Sequence, residues 1–291
     1  MPFAAAVLSC VLSACASRPV ETSYVGVMVD NHQVARPYQR GLDEAAWVQE
    51  QFAEGGITRF EAVFDVENFP ASVGPVRSVR SYFIDGVAPT VASIFHIGGS
   101  PEALERLAAK GAVPSFNAIH FDRFFAYDDV APAPHHRFLT REGFDELFAR
   151  VEAPLKAAFP FPRGAFAPDE SASSIAIDMH SDVHDVSYSF DPRSGTYVRR
   201  NRGARQASTP SNVLVLGTDI AVTGDLGRLS IRTTGSGPAL LFRDGGVQRG
   251  EWSKDDGSFY AFTDGEGKRL GFRDGQVWMI VLDDLGRVTW R

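Results

Sequence analysis

The sequence predicts an α/β N-terminal domain followed by a smaller, mainly antiparallel β C-terminal domain, a sandwich or a barrel. Strand-like and helix-like segments alternate over residues 24–150, as is typical of an α/β layer. Residues 151–175 are rich in proline, alanine and serine, which indicates a linker. Beyond them, Asp-Gly pairs recur at the spacing of short hairpins, so residues 176–291 form the predicted β domain.

The first N-terminal elements are predicted from their apolar patterns. The run "YVGVMVDN" at residues 24–31 is rich in valine and favours a buried strand. Residues 41–56 carry apolar side chains at near-helical spacing and end at Gly55-Gly56, which predicts a helix with a stop signal. Residues 57–66 alternate in polarity and predict a second strand.

The next elements continue the alternation. Residues 80–90 are compatible with a short helix or a loop, and "VASIFHIGG" at residues 91–99 is a predicted buried strand. The following helix has Ser100 as its N-cap, Pro101 at its first position and Gly111 as its stop. The order strand, helix, strand, helix, strand predicts at least one crossover connection.

The composition narrows the classes of function. Hydrophobic residues make up 44% of the 291, which is enough for a sizeable core. The formal net charge is −7, so the overall field repels nucleic acid and no nucleic-acid partner is expected. An anionic ligand therefore has to be captured by a local cluster of donors. No cofactor is expected either.

The N-terminal segment predicts a lipoprotein signal. Both cysteines of the chain, Cys10 and Cys15, lie in an apolar run that is too short to span a bilayer. The sequence "LSAC" resembles a bacterial lipobox, so residues 1–14 are the predicted signal peptide, Cys15 the lipidated residue and residues 15–23 a tether. The protein is then extracytoplasmic and anchored to a bacterial membrane. The alternative is an apolar segment that merely contains cysteine, and no Lys or Arg precedes the run.

The stretch "HIGGSPEAL" predicts an anion-binding turn. A strand runs into Gly98-Gly99 and a helix begins after Ser100, so free backbone N–H groups and the positive end of a helix dipole are expected there. Ligands usually lie at such strand ends in open α/β sheets. The alternative interpretation is a tight turn followed by a well-capped helix.

Three arginines in apolar surroundings raise the question of what they bind. Arg77 and Arg80, with Ser78 between them, follow a Gly-Pro turn, and Arg59 follows a Gly-Gly turn. A buried guanidinium needs a carboxylate or an outside anion. We therefore predict an anion site that uses these side chains. The alternative is an internal ion-pair network with the nearby carboxylates: Asp30, Glu50 and Glu54.

Histidines supply candidate acid–base groups. His96 and His135 are candidates, with Asp30 or Glu54 as the carboxylate partner, and His135 lies in the proline-flanked loop "APHHRF". No metal site is predicted, because the sequence has no HExxH motif and the folded body has no cysteine. There is no GxSxG motif, so a serine nucleophile is not favoured.

Several segments together resemble the YerB-like bacterial lipoproteins. They are "VGVMVDNHQVARP", "EGGITRFEAVF", "GPVRSVRSYFID", "HIGGSP" and "APHH" in the N-terminal half, with "NVLVL", "GSGPALLFRDGG", "GEW" and "GQVWMIVL" in the C-terminal half. The resemblance implies a two-domain, lipid-anchored extracytoplasmic protein and implies no particular reaction. Residues 198–211 depart from the pattern because they contain no acidic residue.

The sequence thus favours a binding module of the cell envelope. Its N-terminal domain is predicted to bind peptidoglycan or another anionic glycan, with charge from the three arginines and N–H donors from Gly98, Gly99 and Ser100. Two alternatives stay open. One is an acid–base hydrolase or lyase that acts on cell-wall polymer. The other is a scaffold that contacts other envelope proteins through the β domain.

Overall fold

A computed structural model describes residues 21–223 and 227–291. Within these ranges, the N-terminal half contains three short α-helices: α1 Ser81–Val87, α2 Pro101–Ala108 and α3 Arg141–Phe148. Its strands are β1 Glu21–Thr22, β2 Tyr24–Asp30, β3 Trp47–Phe52, β4 Thr58–Asp65, β5 Ser72–Val73, β6 Val91–His96, β7 Ser115–Asn117, β8 Phe125–Tyr127, β9 Arg137–Thr140 and β10 Ala157–Ala158.

The described part of the C-terminal half is built from strands and one short 3₁₀ turn. The strands are β11 Glu170–Ser171, β12 Ser174–Ile177, β13 Val186–Asp191, β14 Thr196–Asn201, β15 Ala204–Arg205, β16 Asn212–Gly217, β17 Ile220–Thr223, β18 Arg228–Ile231, β19 Gly235–Arg243, β20 Gly246–Lys254, β21 Ala261–Thr263, β22 Val277–Leu282 and β23 Val288–Trp290.

One large sheet runs through both halves of the chain. Its strand order is β11-β20-β19-β16-β22-β3-β4-β2-β6-β7, and β21 pairs with β20. The halves meet where β22 pairs in parallel with β3, with Val277 opposite Trp47. On the N-terminal side β2 is antiparallel to β4 but parallel to β6, and β6 is parallel to β7. The carboxyl ends of β2, β6 and β7 therefore point to the same edge.

The two faces of this sheet are covered differently. A five-stranded sheet of order β15-β14-β13-β12-β23 contributes Ile175 and Tyr188 to the same hydrophobic cluster as Phe60 and Trp278 of the large sheet. Helix α1 supplies Phe83 to a second cluster, which contains the other side chains of the large sheet. The core is thus formed jointly by residues from both halves.

The prediction of an α/β N-terminal domain is only partly correct, because that half is mostly β and its helices span seven or eight residues each. The helix predicted at residues 41–56 is wrong. Its centre is the strand β3, which lies inside the sheet between β4 and β22 and is buried on both faces. Pairing on both edges outweighs the helical propensity of the Ala- and Glu-rich sequence.

Other predicted elements are present. Strands cover most of residues 24–31, 57–66 and 91–99, and α2 begins where the sequence places it. The C-terminal half is β, as predicted. Its strands are neither one closed barrel nor a separate sandwich, because β16, β19, β20 and β22 continue the large sheet.

The predicted linker is packed against the rest of the chain. Its β10 pairs with β1 of the predicted tether, and β11 pairs with β20. Phe161 is 1% exposed, and its ring lies 5.9 Å from that of Trp47. The predicted domain boundaries stay a prediction, but a shared sheet and core oppose independent folding of the halves.

Candidate functional site

Three of the predicted site residues lie along the carboxyl edge of the large sheet. β2 ends at Asp30 and β6 ends at His96. β4 runs in the opposite direction, so Arg59 near its start lies directly opposite Asp30. Sequence positions that are up to 66 residues apart are thereby brought to one place, where ligands commonly bind in sheets of this kind.

The stretch "GPVRS" lies between the ends of β2 and β6. Val76 pairs with Val29, and the Arg77 N–H donates to the Met28 carbonyl at 2.9 Å. On the other side, the Ile97 N–H donates to the Arg77 carbonyl at 3.1 Å. The segment therefore inserts between two parallel strands and carries Arg77 into the resulting opening. Its first residue has to be glycine, because a Cβ on Gly74 would lie 2.9 Å from the Arg137 carbonyl oxygen.

Asp30 is the centre of the cluster and is fully buried. Its Oδ2 lies 2.7 Å from His135 Nδ1 and 3.1 Å from Arg77 Nε, while its Oδ1 accepts from the His32 N–H at 2.8 Å. The His32 ring stacks on His135 with centroids 5.1 Å apart. Burial, and then the neighbouring His135, lower the pKa of His32.

This arrangement leaves two groups ready for an outside partner. The carboxylate of Asp30 accepts the Nδ1–H of His135, which leaves Nε2 as the other polar atom of the ring. The side chain of Arg77 is 28% exposed, and its terminal nitrogens have no hydrogen-bond partner among residues 21–223 and 227–291. We call Asp30, His32, Arg77 and His135 the Asp30 centre.

The other two arginines are occupied internally. Arg80 donates from Nε and Nη2 to the two oxygens of Glu54, both at 2.6 Å. Arg59 donates to the Ser78 carbonyl at 2.7 Å, and burial lowers its pKa to about 10. The internal carboxylates that the sequence offers as an alternative, Asp30 and Glu54, are thus the observed partners of Arg77 and Arg80.

At the Gly98-Gly99 turn, two of the three predicted N–H donors, those of Gly98 and Ser100, are engaged within the protein. The Gly98 N–H donates to Asn117 Oδ1 at 2.9 Å, and the Ser100 N–H donates to the Val79 carbonyl at 3.2 Å. Ser100 Oγ caps α2 by accepting from the Ala103 N–H. This is the alternative interpretation, a tight turn followed by a capped helix.

His96 is placed close to the edge but away from the carboxylates. Its Nδ1 lies 2.8 Å from the Gly98 carbonyl, and burial lowers its pKa. Its side chain is almost fully buried, and Nε2 has no partner in the part of the chain that the structure describes. Of the two predicted acid–base histidines, only His135 contacts Asp30, and Glu54 contacts an arginine rather than a histidine.

Sequence reasoning missed a buried network on the opposite face of the sheet. Glu50 accepts from Arg199 Nη2 at 2.7 Å and from Trp278 Nε1 at 3.0 Å, which joins the two halves of the chain. Glu50 and Arg199 are both fully buried. Their positions differ by 149 residues, and no local motif signals the pair.

The same network fixes the loop that follows Asp30. Arg36 Nε donates to Asn31 Oδ1 at 3.1 Å, and Nη2 lies 2.7 Å from His184 Nδ1. Arg36 also contacts the side-chain oxygen of Asn201. Residues of the C-terminal half therefore hold the loop on which His32 lies.

No group of three or more His, Cys, Asp or Glu side chains that could hold a metal ion occurs within the described ranges. None of the helices in those ranges is long and apolar enough to cross a membrane. Cys15 and the predicted signal peptide lie outside the described residues.

The fold and the site define a two-part, mostly β protein with an Asp–His–Arg cluster at one sheet edge. Comparison with known proteins identifies its family. Residues 13–153 match the N-terminal domain, and residues 175–279 the C-terminal domain, of DUF3048, a family described as being of unknown function. The chain belongs to this family, which confirms the resemblance noted from the sequence.

One relative gives the scale of the similarity in both sequence and structure. YerB of Bacillus subtilis (strain 168), named as a candidate lipoprotein, is 31% identical over 275 residues, which is 90% of this chain and 81% of the relative. The crystal structure of the YerB protein from Bacillus subtilis matches with a TM-score of 0.83 at 29% identity, over 92% of this chain and 93% of that one.

Proposed function

We propose that this chain is a lipid-anchored protein of the bacterial cell envelope whose Asp30 centre binds an anionic envelope ligand. Carboxylate- or phosphate-bearing glycans of the cell wall are the ligand class. The observation that carries the proposal is the Arg77 guanidinium, which is fixed at Nε by Asp30 and unpartnered at its terminal nitrogens within the described residues. A guanidinium held in this way presents a planar pair of donors to a carboxylate or a phosphate.

The net charge of the protein and the histidines beside Arg77 support a negatively charged ligand. The protein carries a net charge of −7, so a cation at the surface would be attracted in many places, whereas an anion needs a specific site. His32 and His135 stack beside Arg77 and add ring nitrogens to the same opening. In this proposal Arg77 and Ser78 face the ligand. The other predicted site residues shape the walls: Arg59, Arg80, Gly98, Gly99 and Ser100.

Inorganic phosphate is a suitable first probe in a thermal-shift titration. At a hundredfold excess over Kd, we expect the melting temperature of the wild type to rise by about 5 °C, because binding stabilises only the folded state. Arg77→Gln should abolish the rise. The matched control is Arg163→Gln, which removes an exposed guanidinium paired with Asp274.

Two outcomes contradict the proposal. One is a phosphate-induced shift that persists in Arg77→Gln. The other is a melting temperature of unliganded Arg77→Gln that falls far below that of the wild type, because Arg77 would then serve mainly to neutralise buried Asp30. Asp30 keeps His135 and the His32 N–H as partners in this variant, so we expect only a small change.

The 2.7 Å contact between Asp30 and His135 favours a second candidate, an enzyme that acts on cell-wall polymer. A carboxylate that fixes an imidazole leaves Nε2 placed for general acid–base catalysis. Incubation of the protein with peptidoglycan separates the candidates. An enzyme releases soluble fragments, and His135→Gln stops the release, whereas a binding protein retains the polymer unchanged.

The proposed anchor is tested at Cys15. We expect labelled palmitate to enter the protein and Cys15→Ala to move it from the membrane to the soluble fraction, because the thioether-linked lipid supplies the membrane affinity. Cys10→Ala is the matched control, since this cysteine lies within the predicted signal peptide. If the wild type takes no label and Cys15→Ala stays with the membrane, the anchor assignment is wrong.

A further inference from the structure

The edge of the large sheet opposite the Asp30 centre carries an apolar groove. β2 and β6 begin at this edge, where Tyr24 lies opposite Val91. The groove has a volume of about 590 Å³, and most of its lining comes from apolar residues within 88–92, 106–114 and 151–155. We call it the amino-edge groove. Leu155 lines it and is 42% exposed, so water reaches an apolar surface that could instead be covered by a partner.

The first strand of the fold lies beside this groove. Glu21 of β1 pairs with Ala158 of β10, and Ala158 follows Leu155 by three residues. Cys15, the predicted lipidated residue, lies six residues before Glu21. Six residues span at most about 20 Å even when they are fully extended. A lipid on Cys15 therefore holds this edge of the sheet within about 20 Å of the bilayer surface.

The charged side chains around the groove suit an anionic lipid surface. Arg106 and Lys110 line the groove, and the exposed Lys156 follows its last segment directly. Arg106 is paired with Asp85. Among the described residues that line the groove, Glu152 is the one acidic residue. Cations thus outnumber acids here although the whole chain carries a net charge of −7, and cations beside exposed apolar surface favour anionic headgroups.

We propose that the amino-edge groove docks on the lipid bilayer and that the Asp30 centre points away from it. This inference rests on the proposed lipid anchor. The exposed apolar lining leaves water at the headgroup boundary, and Lys110 and Lys156 contact anionic headgroups. β2 has seven residues, so Asp30 at its end lies about 20 Å farther from the bilayer than Tyr24 at its start. The opening at Arg77 then faces the space that cell-wall polymers occupy.

Fluorescent labels at the two edges of the sheet test this orientation. The lipidated protein is reconstituted into vesicles of phosphatidylcholine and phosphatidylglycerol that carry a nitroxide quencher on the headgroup. Residues 16–291 contain no cysteine, so an introduced cysteine is the labelling site once Cys15 carries its lipid. Leu155→Cys places the label at the groove. Ile119→Cys places it at the opposite edge, on a side chain that is 61% exposed and lies near Gly98.

We expect the quencher to remove most of the fluorescence of the label at residue 155 and almost none of that at residue 119. Both native side chains are exposed, so both variants should fold normally. Adding Lys110→Glu should weaken quenching at residue 155 in these vesicles and have little effect in pure phosphatidylcholine. Lys268→Glu is the matched control, because Lys268 is exposed and lies outside the groove, and it should leave the quenching unchanged.

The failures are distinguishable. Equal quenching at the two labels, stronger quenching at residue 119, or no quenching at either overturns the docking inference alone. Unchanged quenching after Lys110→Glu overturns the role assigned to the basic residues. A purified protein whose mass shows no lipid on Cys15 overturns the proposed anchor and the docking inference with it.

Discussion

Replacement of Arg199 by methionine should lower the free energy of unfolding by about 3 to 5 kcal/mol, because it leaves the carboxylate of Glu50 buried without its charged partner. The pair is fully buried, and Arg199 Nη2 lies 2.7 Å from Glu50 Oε2. The guanidinium also lies 4.5 Å from the centroid of the Trp278 ring. Urea unfolding of the two proteins at pH 7.5 measures the difference.

A double variant separates loss of the pair from loss of packing. Glu50→Gln/Arg199→Met removes both charges and keeps an amide that can bond to Trp278, so it should recover more than half of the lost stability. The exposed pair of Arg249 and Glu170 is the matched control, since Arg249→Met should cost only a small part of that stability. A loss of that small size in Arg199→Met would mean that the buried pair does not hold the two halves together.

Acidification should destabilise the protein through His184. Burial, and then the charge of Arg36, lower the pKa of His184 from 6.5 to about 4. Arg36 Nη2 donates to Nδ1 at 2.7 Å, so protonation of that nitrogen removes an acceptor and places two cations together. The folded state therefore disfavours the proton that the unfolded state accepts.

The sign of the effect follows from the lowered pKa. The stabilisation by neutral His184 is complete above pH 6.5 and is lost as the pH falls from 6.5 towards 4, by up to about 3 kcal/mol. Other charges face the ring as well, namely those of Glu50, Arg199 and His32. The difference between wild type and His184→Gln isolates the contribution of His184, because glutamine offers Arg36 an acceptor that does not titrate.

Free energies of unfolding at pH 7.5, 6 and 4.5 provide the measurement. The wild type should lose stability over this range faster than His184→Gln does. His180→Gln is the matched control, because His180 is exposed and pairs with Asp283 at the surface. Parallel pH profiles for wild type and His184→Gln would contradict the assignment of a buried neutral histidine at this position.

Local signals predicted the elements that are stabilised locally. The strand at β2 follows from an apolar run that is rich in valine, and α2 follows from Ser100, Pro101 and a terminal glycine. β3 could not be found in this way, because its neighbours β4 and β22 decide its conformation. β22 is about 230 residues away in the sequence. The shared sheet was missed for the same reason.

For the candidate site, too, local signals identified individual residues but not the partners that the fold brings to them. The sequence identified Asp30, Arg77 and His135 as polar residues with unusual surroundings but left their partners open. Asp30 and His135 are 105 residues apart, and only the insertion of "GPVRS" between β2 and β6 brings Arg77 to the same carboxylate. The buried pair of Glu50 and Arg199 was missed because nothing in the sequence around Arg199 signals a fully buried charge.

The proposed function requires an anion to bind at the Asp30 centre, and imidazole NMR of ¹⁵N-histidine protein during a phosphate titration observes that site. We expect the ring signals of His32 and His135 to move saturably with one Kd, the signal of His180 to stay in place, and Arg77→Gln to abolish the movement. Unmoved His32 and His135 signals under conditions where phosphate raises the melting temperature would contradict it, because the anion would then bind elsewhere on the protein.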